Sequence, residues 1–274
     1  MKRWTIILVS PKEPGNVGGA ARVLRNFGGG GLRVVDPRCE VNGPDARRFS
    51  SGAADLLRSA PQFPTLREAV ADFELAIGLT GVSGRHHRLD CVGLLPSAIL
   101  AGKDHLARCA LVFGREERGM ETEEMEACTH LWSLPTNPDF PSLNLAQAIG
   151  VTLSAVAEVE RQLGLTDLGR GVAPSSRSVG PLAGGHEPGD QPATVHELDL
   201  LAENFRSLMQ RTGWDEGRRL LSSLGKLRHV LARASATQRE VNLFHGICRQ
   251  ALNALDHPDR FPSHGETTSK EHSP

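Results

Sequence analysis

Up to about residue 162 the chain alternates short apolar runs with stretches whose apolar residues recur at helical spacing. Ile6–Val9, Leu32–Val35, Leu75–Leu79, Ala110–Phe113 and Leu131–Leu134 have the length and content of buried strands. Between them, Val17–Asn26, Ala53–Leu57, Leu66–Asp72 and Thr122–Ala127 read as helices. The clearest helix follows the last strand, where Leu145, Ile149, Leu153 and Val156 share one face ahead of Glu158 and Glu160. Strands that are apolar throughout and separated by helices predict an α/β fold, a parallel sheet covered on both faces.

Residues 163–193 break this pattern. Gly180-Pro181 and Gly184-Gly185-His186-Glu187-Pro188-Gly189 lie there without periodicity, which predicts a flexible linker. Helical spacing returns over 194–258, with Leu198, Leu201, Phe205 and Leu208, then Leu220, Leu224, Leu227 and Leu231, then Val241, Phe244, Ile247 and Ala251. Three helices of this size make a small domain that needs a partner surface. Residues 259–274 are polar and read as a disordered tail.

Bulk properties narrow the picture modestly. The 274 residues suit one sizeable core and a smaller unit. Aromatic residues are only 4% of the chain and tyrosine is absent, which argues against a broad stacking platform for single-stranded bases. The net charge of -1 argues weakly against nucleic acid, yet the basic residues are not spread evenly. Arg206, Arg211, Arg218, Arg219, Lys226, Arg228, Arg233, Arg239 and Arg249 face six acids between Asp199 and Asp256. That excess is either a solvated helix face or a phosphate-contacting one. The apolar run at Trp4–Val9 is too short for a signal segment or a membrane span. Five cysteines without metal-type spacing fit reduced thiols in the cytoplasm, with neither membrane nor metal as a partner.

Candidate chemistry lies where strands end. After the first strand comes Pro14-Gly15-Asn16-Val17-Gly18-Gly19-Ala20-Ala21-Arg22. Its glycines have the wrong offsets for a dinucleotide fingerprint, and no Gly-Lys-Ser or Gly-Lys-Thr follows to make a phosphate loop. Asn16 is placed either to cap a helix or to face a ligand, and Arg22 to be solvated or to bind one. The small residues from Gly18 to Ala21 suggest room for a bulky group near the backbone. The fourth strand runs into Gly114-Arg115-Glu116-Glu117-Arg118-Gly119-Met120, followed by acids suited to a helix N-terminus. After the fifth, Leu134-Pro135-Thr136-Asn137-Pro138 breaks the strand and Ser142-Leu143-Asn144-Leu145 restarts a helix that Ser142 is placed to cap. His86 and His87, in the loop after Thr80-Gly81, lack a third ligand at useful spacing and read as solvated.

These three segments together resemble the motifs of the SpoU class of SPOUT RNA 2'-O-methyltransferases. Pro14–Arg22 is similar to the first motif, Gly114-x-Glu116-x-x-Gly119 to the second, and Ser142-Leu143-Asn144 to the third. Lys226-Leu227-Arg228 through Arg233-Ala234, with Glu240-Val241-Asn242 and Gly246-Ile247, resembles the extension of the TrmJ-type tRNA enzymes of that class. The resemblance implies a C-terminal deep trefoil knot in the α/β domain, residues 1–162, and S-adenosylmethionine as cofactor, left as S-adenosylhomocysteine. It implies homodimers that methylate the ribose of nucleotide 32 in the tRNA anticodon loop, on cytidine or on cytidine and uridine. It places Arg22, Asn16, Glu116, Ser142 and Asn144 at the reaction, and Thr80, Gly81, Gly114, Leu134, Ser142, Leu143 and Asn144 at the cofactor. Arg85, Arg88, Arg115, Lys226, Arg228 and Arg233 are the implied RNA contacts. The rival readings are a related enzyme acting on ribosomal RNA or another tRNA position, and a non-catalytic RNA-binding protein of the same fold.

Overall fold

The computed structural model describes residues 1–81, 91–92, 100, 106–137, 139–166, 191–214 and 218–257. Its strands are β1 (Trp4–Val9), β2 (Gly31–Val35), β3 (Gln62–Phe63), β4 (Leu75–Thr80), β5 (Cys91–Val92), β6 (Cys109–Phe113) and β7 (His130–Ser133). They form one sheet in the order β3-β2-β1-β6-β4-β7-β5, with every pair parallel. The five strands legible in the sequence are the contiguous centre of this sheet. The two that were not, β3 and β5, are edge strands of two residues each, too short to carry a pattern.

Helices cover both faces: α1 (Pro14–Asn26), α2 (Pro44–Ser50), α3 (Ala54–Ser59), α4 (Leu66–Val70), α5 (Thr122–Ala127) and α6 (Leu145–Gln162). The pleat sorts the side chains. Ile6 and Leu8 join Leu111 and Phe113 under α1 and α6, while Ile7 and Val9 join Ala110 and Val112 under α4 and α5. The short α2 was not anticipated; it starts on Pro44 and stops at Ser51, whose φ is 42°.

The small residues of α1 serve packing and leave no room for a ligand, contrary to the expectation from sequence. A Cβ on Gly18 would sit 2.1 Å from the Ala46 carbonyl oxygen of α2, and one on Gly19 would sit 2.9 Å from the Ala146 Cβ of α6. Ala20 and Ala21 are fully buried. In the last turn of α6, the buried Glu160 accepts hydrogen bonds from Arg3 Nε at 2.7 Å and from the Trp4 indole, and lies 3.0 Å from the Met1 amine. Those partners hold its carboxyl below the usual range although burial alone would raise it.

Three more helices follow: α7 (Val195–Arg211), α8 (Arg218–Arg233) and α9 (Gln238–Asp256). Thr194 with Glu197, and Thr237 with Glu240, form capping boxes at α7 and α9. Leu198, Leu201, Ala232, Ala236 and Val241 make their shared core. In α9 Val241 and Cys248 are buried, whereas Ile247, assigned to the apolar face from sequence, is 51% exposed. The anticipated partner surface is one face of the α/β domain, at the turn after α4 and the end of α5. Val195 N donates to Phe73 O at 2.8 Å, His196 N to Ala71 O at 3.0 Å, and Val195 packs in the cluster that holds Ile7. Residues 167–190 of the expected 163–193 linker, and the expected 259–274 tail, lie outside the described residues; the linker's last residue, Ala193, is packed in the core of the three helices and its N donates to Ala236 O at 2.8 Å. Among the described residues no helix is long and apolar enough to cross a membrane.

Candidate active site

Strands β6, β4 and β7 are neighbours, and the segments leaving their C-terminal ends enclose a cavity of about 670 Å³. That is where ligands bind parallel sheets, and the volume suits a cofactor-sized molecule. Leu79, Thr80 and Gly81 come from β4, Phe113 to Met120 from β6, and Leu134, Thr136 and Pro141 to Leu143 from the segment after β7.

The β6 loop is folded tightly over its own strand. Arg115 and Gly119 exchange both backbone hydrogen bonds, at 3.0 and 2.9 Å, with Gly119 at a φ of +71°. This closure passes so near Gly114 that a Cβ there would meet the Gly119 carbonyl carbon at 2.2 Å. Only glycine fits. The loop then enters α5 through a capping box between Glu121 and Glu124. Glu124 also clamps the Arg115 guanidinium with two hydrogen bonds of 2.8 and 2.9 Å. That carboxylate holds Arg115 above its ordinary pKa. The acids therefore do favour the helix start, as one reading of the sequence had it, and they also shape the cavity wall.

A chain of side-chain hydrogen bonds joins the three sequence motifs. Glu116 accepts from Asn16 Nδ2 at 3.2 Å, and Asn16 Oδ1 accepts from Asn144 Nδ2 at 3.0 Å. Asn144 is the N-cap of α6, its Oδ1 accepting from Ala146 N at 3.0 Å and Gln147 N at 3.4 Å. The direction of the chain is fixed at both ends: a carboxylate only accepts, and helix N–H groups only donate. The backbone N–H groups of Lys12 and Glu13 also point at Glu116, each at 3.4 Å. The nearby Cys39 thiol is pushed up by burial, then by the charges of Glu116 and Glu13.

The expectations for individual residues fare differently. Thr80, Gly81, Gly114, Arg115, Glu116, Leu134, Ser142 and Leu143 all line the cavity. Asn16 and Asn144 stand beside it, joined to Glu116 as described. Asn16 sits inside α1, which is capped at Glu13, so it is no helix cap; Asn144 takes the cap assigned to Ser142. Arg22 lies on the exposed side of α1, outside the cavity lining. Lys226 and Arg233 are exposed on α8, whereas Arg85 and Arg88 lie outside the described residues. Arg228 does not fit the RNA contact implied for it. Its side chain is 5% exposed and bonded to backbone carbonyls, so it has no free face for a phosphate. Met120, Met125 and Thr136 are among the further lining residues, and nothing in their spacing marked them. Among the described residues no three His, Cys, Asp or Glu side chains are placed to hold a metal ion.

A pocket at the carboxyl ends of a parallel sheet, closed by a glycine-dependent loop and a capped helix, defines a protein that grips a small ligand and presents it at its rim. Residues 3–154 match the SpoU rRNA Methylase family, and the chain belongs to that family. It is 30% identical to the tRNA (cytidine/uridine/adenosine-2'-O-)-methyltransferase TrmJ of Pseudomonas aeruginosa, over 90% of this chain and 93% of that one. It is 36% identical to the tRNA (cytidine-2'-O-)-methyltransferase TrmJ of Methanocaldococcus jannaschii, over 54% of this chain and 65% of that one. The crystal structure of TrmJ from Z. mobilis ZM4 superposes with a TM-score of 0.68 at 27% identity, covering 90% of this chain and 97% of that one. The resemblance read from the motifs is borne out.

Proposed function

We propose that this chain transfers a methyl group from S-adenosylmethionine to a ribose 2'-hydroxyl of tRNA, at nucleotide 32 of the anticodon loop. Cytidine is the acceptor, with uridine as a second, and S-adenosylhomocysteine is the product. The observation that carries this reading is that the second and third motifs line one cavity and the first is tied to both by the Glu116–Asn16–Asn144 chain. TrmJ relatives that match over most of their length support the tRNA substrate.

The cavity fits the cofactor: apolar Leu79, Phe113, Leu134 and Leu143 suit an adenine, and the backbone at Thr80 and Gly114 offers polar groups. When bound, the cofactor supplies an electrophilic methyl carbon on a sulfonium. The protein's own task is to orient the hydroxyl and to stabilise the charge left as its proton departs. Asn16, held between Glu116 and Asn144, presents a fixed amide at the rim. Arg22 contributes a cation for the ribose oxygen or the adjoining phosphate; a guanidinium stays protonated at neutral pH, so charge stabilisation suits it better than proton abstraction. Arg85, Arg88, Lys226 and Arg233 extend the contact to RNA.

The same reading includes the trefoil knot at the C-terminal end of the 1–162 domain, the linker over 163–193, the 194–258 helical extension and the 259–274 tail. It includes a cytoplasmic location and a homodimer. The test is incubation of purified protein with labelled S-adenosylmethionine and unmodified bulk tRNA, followed by mapping of the ribose methyl. Label in ribosomal RNA alone would end the tRNA assignment. Arg22→Ala is expected to keep fold and cofactor binding and to lose turnover by on the order of a hundredfold; turnover near wild type removes Arg22 from the reaction.

A further inference from the structure

Arg228 is an unusual arginine for a basic helix: it points inward. Its Nη1 donates to Glu126 O at 2.9 Å and Cys128 O at 3.1 Å, its Nη2 to Ala127 O at 2.9 Å, and its Nε to Asp199 Oδ1 at 2.6 Å. The three carbonyls belong to the C-terminal end of α5. A six-residue helix is too short to hold itself, and its last carbonyls have no partner within the helix. The planar guanidinium, with its several donors, meets all three while Asp199 neutralises it. The next residue, His229, places Nδ1 3.3 Å from Thr129 O, and Thr129 is bonded to Ala76 of β4 at 2.9 and 2.8 Å.

Helix α5 also contributes to the wall of the cavity, through Met125. One turn before Arg228's carbonyls, Glu124 clamps Arg115 and accepts from Glu121 N at 2.7 Å. Met125, between them, lines the cavity and is 2% exposed. We propose that Arg228 is a positioning residue for the cofactor cavity: by fixing the end of α5 it holds Glu124, and through Glu124 it holds Arg115 and the loop 114–121. The C-terminal helices thus set the shape of the cofactor site as well as extending the surface. The proposal rests on the reading of that cavity as the cofactor site.

The test uses the full chain with Arg228→Gln, Arg228→Lys, Glu124→Gln and the Gln/Gln double variant. Amide hydrogen exchange of the ligand-free proteins should speed up over 114–121 in Arg228→Gln. Affinity for S-adenosylmethionine should fall on the order of fivefold, the middle of the range for substitutions along a coupled network. KM for the cofactor should rise while KM for tRNA stays put, Arg228→Lys should fall between, and the double variant should be no worse than the poorer single. A raised KM for tRNA with cofactor binding intact would mean that Arg228 contacts RNA, and overturns the proposal. Faster exchange confined to α7–α9, with 114–121 unchanged, would reduce Arg228 to a docking contact and overturns it too. If wild-type protein bound no S-adenosylmethionine, the cavity reading would fail, while the exchange over 114–121 would still decide the coupling. Should Arg228→Gln not fold, Arg228→Lys carries the same comparison.

Discussion

Gly114→Ala tests the cavity most directly. The added Cβ would lie 2.2 Å from Gly119 C, 2.4 Å from Met120 N and 2.6 Å from Gly119 O, whereas ordinary contact begins at 3.4 Å. All three neighbours are backbone, so no side chain can swing aside. The relief available is to open the Arg115–Gly119 closure, which carries two hydrogen bonds. At a net 0.5–1.5 kcal/mol each, that costs about 1–3 kcal/mol, the same range as overpacking a core. For a chain of this size each kcal/mol lowers Tm by about 2–4 °C. If S-adenosylmethionine binds the closed loop, the same energy appears as about 5- to 150-fold weaker binding. Titration calorimetry of the cofactor and scanning calorimetry of the free protein read the two quantities. Wild-type affinity together with an unmoved Tm would show that the loop closure does not form the site.

At the other end of the cavity, Asn144→Asp keeps the acceptor that caps α6 but loses the donor to Asn16, so stability should hold while turnover falls; Asn144→Ala should lose about 1 kcal/mol of stability as well. Equal Tm for the two variants would refute the capping role. Glu160→Gln should cost about 3–5 kcal/mol at pH 7, because Arg3 and the Met1 amine lose their buried partner. The depressed carboxyl gives stability that is full above the ordinary value of 4.5 and lost as pH falls through the lower folded-state value. Urea midpoints of wild type and variant should therefore converge below that pH, and parallel curves would contradict the ion pairing. The Cys128 thiol is pushed up to about 12, first by burial. Alkylation at pH 8 should be on the order of a thousandfold slower than for a free cysteine, by mass spectrometry of the native protein; rapid labelling would mean that α5 opens.

The central sheet and the three motifs were open to reading because their signals are local. An apolar run of strand length, such as Cys109–Phe113, keeps its meaning whatever it pairs with, and Gly114 or Asn144 stands at a strand end or helix start in any arrangement. Two-residue edge strands have no such signal; they exist because a neighbour offers its free edge. Asn16 and Asn144 are equally polar in sequence; Asn144 caps its own helix through local contacts, but only their meeting across 128 positions joins it through Asn16 to Glu116.

The chain's own order of residues determined the α/β class, the motifs on which the family resemblance rests and eight of the residues that line the cavity, since each is carried by a short local segment. Tertiary structure alone decided what fills space between distant segments. Gly18 and Gly19 proved to be contact points for α2 and α6. Arg228, one basic residue among many along α8, proved to be the partner of three carbonyls a hundred residues away. Burial and pairing are properties of the neighbours a fold supplies, and a guanidinium in water reads the same in sequence as one closing the end of a helix.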